Sequence, residues 1–508
     1  ALGCPIDKGR VDRTPSVLGP AFKDVDNLKI PEKIVEKGRI PVALEAIEIL
    51  REKVSDKIPL TVKVTGPFTI AGHVFGVDRF VSWVKTNPEK VEEALDKLAY
   101  VSTEFASAAT RSGVDIVTIS DPTSSGDLIS ADTYRDLVAP AHKKVFSKID
   151  VPCVLHICGN TSGHMKYIPE TDVDCFSFEE KVDVAYARQV VGNKISLVGN
   201  IAPVSVLLQG SIADVERESL KALRAGIDIL SSGCTIAPRT PLENIRMLLE
   251  VAEKFKLEER APVGLEAKPE APKARAVEPL QLVKDIMPKD EPYGSISEAV
   301  LRGDETKTRQ LCEKALKQGS KGVDIVNLGL LPGVQAAGKL YNEGLAYVPE
   351  ILLANSAMQA GLAVCKEELA AVKKLGTILV HCADGDVHDI GKNIVKAIVS
   401  ASGFEVIDLG KSVPPETVAE AIKKYKPIAV LGSALMTTTR PAFVATAKKL
   451  KEEGVDIVFG VGGGALDKAF AETASLLVYG KDPGNAVQIC KLATQKKKWE
   501  EVRRALHG

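Results

Sequence analysis

Residues 381–395 read HCADGDVHDIGKNIV, and this stretch decides how the second half of the chain is built. A β-branched run at 377–381 leads into it and a helical pattern leaves it, so the segment is a strand-to-helix loop. Asp386, His388 and Gly391 stand in it at the spacing Asp-x-His-x-x-Gly. A histidine on such a loop can aim its imidazole out of the carboxyl edge of a parallel sheet, where ligands of doubly wound folds sit. An aspartate two residues earlier can accept the other ring N–H, which fixes the tautomer and makes the outward nitrogen a stronger metal ligand.

Four further runs at 405–409, 428–432, 456–460 and 476–479 alternate with helical patterns, so residues 371–508 are expected to form a doubly wound, Rossmann-like domain. The third run leads into Gly432-Ser433-Ala434-Leu435-Met436-Thr437-Thr438-Thr439, small hydroxyl residues that can extend a hydrogen-bond chain from Asp386; Ser433, Leu435 and Thr437 are the binding candidates there. The fourth ends in Gly460-Val461-Gly462-Gly463-Gly464, where the missing side chains of Gly462 and Gly463 would let a bulky ligand tail lie against the backbone. A dinucleotide-binding domain is the rival reading. Its glycine fingerprint follows the first strand and opens a helix, whereas here the first loop carries the histidine and the glycines come late.

Upstream, residues 293–370 read as about four helices, with Ile296, Val300 and Leu301, then Cys312, Ala315 and Leu316, then Val334 and Leu340 at helical spacing. Residues 257–292 are rich in Pro, Ala, Glu and Lys without an apolar period, which predicts a mobile, semi-extended tether. Residues 1–256 hold six short β-branched runs, at 59–65, 115–120, 152–157, 174–178, 195–199 and 228–231, separated by helical patterns. Each run ends in a small or polar cluster, where a (β/α)8-type barrel places its chemistry. Six strands do not close that barrel. The expectation is an α/β chain whose (β/α)8-type barrel lacks its first two units, in keeping with a start at Ala1-Leu2-Gly3-Cys4 without an initiator Met; an open sheet is the alternative.

In the barrel half, His156-Ile157-Cys158 ends the third run. Residues two apart on a strand point the same way, so His156 and Cys158 can share one ion. Cys234, at the end of the last run, returns to the same mouth in a closed barrel. His, Cys and Cys make three protein ligands and leave a fourth place open, the pattern of a catalytic zinc. His-x-Cys alone would equally describe a core histidine and a buried thiol; Cys234 within Gly-Cys-x-Ile-Ala-Pro favours the metal. Glu179 or Glu180 could fill the fourth place, though as charges at a strand end they need no such role. Asp121, which opens the loop after the second run, completes the catalytic candidates. Composition narrows the partners: 66 Lys plus Arg against 67 Asp plus Glu, with no long run of like charge, offers no footprint for nucleic acid or a membrane surface. Nine scattered cysteines with no signal-peptide pattern point to a reducing, cytoplasmic setting.

The segments HDIGKNIV, SALMTTT and YGKDP resemble the cobalamin-binding family that includes methionine synthase, and among its members methanol-type corrinoid proteins most. That resemblance implies a corrinoid whose cobalt takes His388 as lower ligand, with Asp386 and Ser433 behind it and the helices before it as a cap. The stretches TGPFTIAGH, SDPTSSGDLIS, LHICGN, EEKVD, VGNIAPV and SGCTIAPRTPLEN are similar to the methylcobalamin:coenzyme M methyltransferase branch of the uroporphyrinogen decarboxylase superfamily. The decarboxylase itself lacks the His-x-Cys and Cys set, which argues against porphyrin chemistry. The resemblance implies methyl transfer between the chain's own cobalamin and a zinc-activated thiol of coenzyme M type, or another thiol or folate-type acceptor. It also implies a separate methyl-donor methyltransferase and a reductive reactivase as partners. Two other functions stay open: a chloromethane:corrinoid methyltransferase, since the fused enzyme of halomethane users has the same domain order, and a methyl carrier with an inert barrel.

Overall fold

The structure is a computed structural model that describes all residues except 9–15, 237–238, 260–278, 370–373, 387–389, 435–438 and 508. The chain separates into two compact units that meet in sequence near residue 276.

The first unit is built on a parallel sheet in sequential order, β1 (Thr61–Thr65), β2 (Ile116–Ser120), β3 (Cys153–His156), β4 (Cys175–Phe178), β5 (Ser196–Ile201) and β6 (Ile229–Ser232). All six expected runs are strands. One face of β1 to β5 is apolar and buried, with Val64, Val117, Ile119, Leu155, Phe176, Phe178 and Leu197 on it. The alternate positions, Thr61, Thr118, Ser177 and Val198 among them, share the other face. Helix starts follow local chemistry. Pro67 occupies the first turn of α1 (Pro67–Phe75). Asp183 caps the helix Val184–Val191, and Ser211 with Asp214 forms a capping box on Ile212–Ala225, which Gly226 ends in a left-handed turn. Closure of an eight-stranded barrel would need two strands beyond the six of this sheet; the short strands Ile6–Asp7 and Ser16–Val17 form a separate pair.

The second unit begins with helices. The helix Pro279–Leu282 and the following turn place Val283 in a buried cluster with Ala336, Leu340 and Ala346, flanked by Leu282, Ile286 and Met287. The tether expected to run to Pro292 therefore gives way to packed structure from Pro279. Apolar residues at 282, 283, 286 and 287 form a helical face that the surrounding Pro, Lys and Asp residues hide when composition is averaged over the segment. α2 (Tyr293–Leu301), α3 (Glu305–Lys317), α4 (Leu331–Asn342, entered through a π-helical turn at Ile325–Leu330) and α5 (Val348–Leu369) enclose Ile296, Val300, Cys312, Leu330, Val334 and Met358. The window Val348–Cys365 of α5 is apolar enough to cross a membrane, but 56% of it is buried within the protein, as a core helix requires.

A second parallel sheet follows, with strands β7 (Thr377–Cys382), β8 (Glu405–Asp408), β9 (Ala429–Ser433), β10 (Val458–Gly462) and β11 (Leu477–Tyr479) in the order β8-β7-β9-β10-β11. This is the doubly wound order 2-1-3-4-5, whose switch point lies between β7 and β9.

Candidate functional site

In the first unit the structure brings His156, Cys158 and Cys234 together, with their ligand atoms all within 4.8 Å of one another. His156 Nε2 lies 3.3 Å from Cys158 Sγ, which lies 3.8 Å from Cys234 Sγ. Ligands about 2.3 Å from a tetrahedral zinc through sulfur would stand about 3.8 Å apart, and a sulfur and a nitrogen about 3.5 Å apart. The donor set therefore fits such an ion. In a flat sheet β3 and β6 would lie about 14 Å apart, so the thiol contact shows the sheet curling and its loops leaning across one mouth. Crowding of two thiols also separates their acidities. The hydrogen bond from Cys158, and then that from His156, lower the Cys234 thiol against the opposing effect of burial. The contact with Cys234, together with burial, drives Cys158 up.

The supporting groups are of three kinds. Ser177 sits opposite His156 in register on β4, and its hydroxyl lies 3.0 Å from His156 Nδ1. With Nδ1–H donating to that oxygen, Nε2 is the nitrogen left to face the thiols. Gly159, at φ +76°, lets the chain turn directly after Cys158 onto Ser125 and Asp127, where an added Cβ would fall 2.3 Å from both side chains. Asn200 donates to the Val182 carbonyl at 2.9 Å and holds the loop that carries Glu179. Burial, and next the neighbouring Cys234, push the Glu179 carboxyl up.

Asp121 follows β2 directly, in the loop expected for it, and its bonds run to a helix. It is fully buried and accepts from Phe68 N–H at 3.1 Å, Thr69 N–H at 2.6 Å and the Thr69 hydroxyl at 2.6 Å, and it pairs with His142 Nε2 at 2.8 Å. These contacts satisfy the first N–H groups of α1, and Gly66 is small because a Cβ there would meet Asp121 at 2.5 Å. Asp121 pins a helix to the sheet; it is not part of the thiol cluster. Its own N–H donates to the His156 carbonyl, which ties that pin to the ligand strand.

In the second unit the three motifs come to one level of the sheet edge: Ser433 pairs in register with Cys382 on one side and Gly462 on the other. Asp386 is fully buried, its N–H donating to Ala383 O and its carbonyl accepting from Ser412 N–H, both at 2.9 Å. Its carboxylate accepts from the Thr439 hydroxyl at 2.8 Å. Gly391 opens α6 (Ile390–Ala401), and a Cβ there would stand 3.3 Å from Ser433 Oγ. His388, Leu435 and Thr437 lie outside the described residues. Gly462 and Gly463 are explained before any ligand is considered: a Cβ at Gly462 would meet the Gly480 carbonyl at 2.6 Å, and one at Gly463, where φ is +116°, the Ala434 carbonyl at 2.4 Å. Close packing of neighbouring backbone therefore accounts for glycine at both positions. A buried carboxylate at the switch point, with loops after β7 and β9 beside it, fits a ligand bound at that edge.

Comparison with known proteins agrees with this division. The family model for uroporphyrinogen decarboxylase (URO-D) matches residues 1–255, half of the chain. The chain belongs to the uroporphyrinogen decarboxylase family. To this URO-D domain are joined B12-binding domains, matched at 294–366 and 376–486. The chain is 37% identical over 253 residues to a methylated-thiol–coenzyme M methyltransferase of Methanosarcina mazei, covering 50% of this chain and 68% of the relative. It is 36% identical to a methylcobamide:CoM methyltransferase of Methanosarcina barkeri, over 50% of this chain and 76% of that one. A methanol–corrinoid protein of Methanosarcina barkeri is 39% identical over 216 residues, 42% of this chain and 84% of its own. The URO-D and B12-binding parts thus carry, on one chain, likenesses to two kinds of protein.

Ser177, Thr439 and the Asp121–His142 pair escaped the sequence reading. Thr439 was visible as the last residue of SALMTTT, but which of four hydroxyls meets Asp386 depends on loop geometry. Ser177 depends on the register of two strands.

Proposed function

We propose that this chain is a corrinoid-dependent methyltransferase that moves a methyl group between a cobalamin on its B12-binding unit and a small thiol of coenzyme M type bound in its URO-D unit. The observation that carries this reading is the cluster of His156, Cys158 and Cys234 in a URO-D sheet on the same chain as a B12-binding domain. Zinc held by these three residues would keep a substrate thiol as thiolate at neutral pH. His156, oriented by Ser177, and the two cysteines would hold the zinc, which would then be free to bind a substrate sulfur. On the other unit His388 is the proposed lower cobalt ligand, with Asp386 fixing its ring. Carrying both units on one chain raises the effective concentration of one site at the other to roughly millimolar. A separate methyl-donor methyltransferase and a reductive reactivase are the proposed partners.

The test is composition together with turnover. The purified chain, reconstituted with hydroxocobalamin, should hold about one zinc and one corrinoid, and should S-methylate coenzyme M when supplied with methylcobalamin. A chain that binds corrinoid but neither retains zinc nor methylates the thiol would instead be a carrier with an inert first unit.

A further inference from the structure

Lys63, on β1, is the only Lys, Arg, Asp or Glu in the six strands of the first unit. Its face is settled by its neighbours. Val64 is buried on the apolar face, so Lys63 stands on the opposite one with Thr61 and Thr65. Thr61 Oγ1 lies 3.4 Å from Thr118 Oγ1 on that face of β2. Register carries the same face to the thiol cluster: Thr65 pairs with Ser120, Ser120 with His156 and His156 with Ser177. Lys63, opposite Thr118, stands one side-chain layer deeper than that row. Its charge reaches the cluster. Contact with Cys234, together with burial, pushes the Cys158 thiol up, and Lys63 supplies the opposing pull.

Lysine on an edge strand commonly blocks pairing with another chain, a use that any exposed face would serve. Lys63 lies instead on the face toward which the sheet curls. Among the described residues no carboxylate pairs with it, whereas Lys181, in the loop after β4, is engaged by Asp127 at 2.8 Å. We propose that Lys63 binds the anionic end of the thiol substrate, so that the URO-D unit selects short thiols ending in a sulfonate or carboxylate. This rests on the proposal that His156, Cys158 and Cys234 hold a zinc that binds the thiol. An ionised tail beside a thiolate is repelled by it, and a cation on the same face offsets that repulsion. The hydroxyls of Thr61, Thr65 and Thr118 are further donors on that face for the anion's oxygens. The arrangement also orients the substrate: with its sulfur at the cluster and its tail directed inward to Lys63, the methyl-accepting side of the sulfur is left toward the mouth.

The experiment uses the zinc-loaded full chain and two thiols of matching carbon chain, 2-mercaptoethanesulfonate and the uncharged 2-mercaptoethanol. Dissociation constants are measured by calorimetry without a methyl donor, zinc is determined in each variant, and methylation from methylcobalamin is followed over thiol concentration. If wild type binds neither thiol, the zinc-thiol reading fails and this inference with it. Given thiol binding, wild type should hold the sulfonate about tenfold or more tighter than the alcohol, the worth of a hydrogen bond to a charged group. Lys63→Met should remove about that factor for the sulfonate, raising its KM with little change in kcat. Zinc content and binding of the alcohol should stay as in wild type, and Lys63→Arg should keep most of the preference. 3-Mercaptopropionate, with a carboxylate, should follow the sulfonate. Should Lys63→Met not fold, Lys63→Gln carries the same arm. The inference is overturned if the substitution weakens both thiols alike, if it costs zinc, if it leaves the sulfonate unaffected, or if Lys63→Arg is as impaired as Lys63→Met.

Discussion

The two sites obtain their support in different ways. In the URO-D unit His156 and Ser177 face one another across β3 and β4, while Cys158 and Cys234 each lie two residues beyond the ends of β3 and β6. Strand register fixes the first pair. In the B12-binding unit Asp386 is fixed by residues from other loops, its carboxylate by Thr439, 53 residues on, and its backbone carbonyl by the N–H of Ser412. A histidine placed by register tolerates loop change, whereas a carboxylate held by loop-to-loop bonds depends on each of them.

The largest expected effect separates the two sites completely. Cys158→Ala or Cys234→Ala should reduce metal from about one equivalent to nearly none, an affinity loss on the order of 100-fold or more, with corrinoid content unchanged; His388→Ala should do the reverse. Metal analysis and the corrinoid absorbance decide it, and loss of both groups in either variant would join what the structure keeps as separate units. Next is Asp121→Ala, which leaves His142 without its partner and the start of α1 uncapped. A loss of about 3–5 kcal/mol is expected in thermal unfolding. A folded Asp121→Ala protein with full stability and no activity would return Asp121 to catalysis.

Acid tests both units, since burial also lowers His164 of the URO-D unit to about 4, and a substitution at His381 isolates the B12-binding share. His381 is fully buried between Phe443 and Phe459, and burial lowers its pKa from 6.5 to about 4. The unfolded chain then binds the proton first, so the stability that this group contributes is whole above pH 6.5 and lost as pH falls from about 6.5 to about 4. The total is about 3 kcal/mol, from a shift of about 2.5 pH units. Melting temperatures of the full chain at pH 7.5 and 5 should differ less in His381→Leu than in wild type; equal slopes would mean that His381 is charged in the fold. The smallest effect is Ser177→Ala, expected to weaken metal about tenfold, read by competition with a chelator. No change would mean that His156 needs no partner across the sheet.

Both sheets were legible because parallel strands buried under helices read as short β-branched runs, and the small residues after each run marked the loops. His-x-Cys was legible as a pair, though β3 ends at His156, so the loop and not strand alternation places Cys158. Cys234 came from its flanking motif, and its approach to Cys158 needed the curvature of the sheet. What escaped depends on distant neighbours. Asp121 opens a strand-end loop as a catalytic aspartate would, and only the position of α1 shows that its oxygens serve Phe68, Thr69 and His142. The need for glycine at 462 and 463, where adjoining carbonyls leave no room for a Cβ, likewise depends on neighbouring strands and loops. The packed face at 282–287 was lost in a background of tether-like composition.

The central claim is methyl transfer between the two units of one chain, and a single-turnover measurement tests it most directly. Chain loaded with one equivalent of methylcobalamin is mixed with coenzyme M, and S-methylated product is quantified against time for wild type and for Cys158→Ala with matched corrinoid content. The account predicts close to one equivalent of product from wild type, at a rate independent of protein concentration, and next to none from Cys158→Ala. Equal product from both proteins would contradict it.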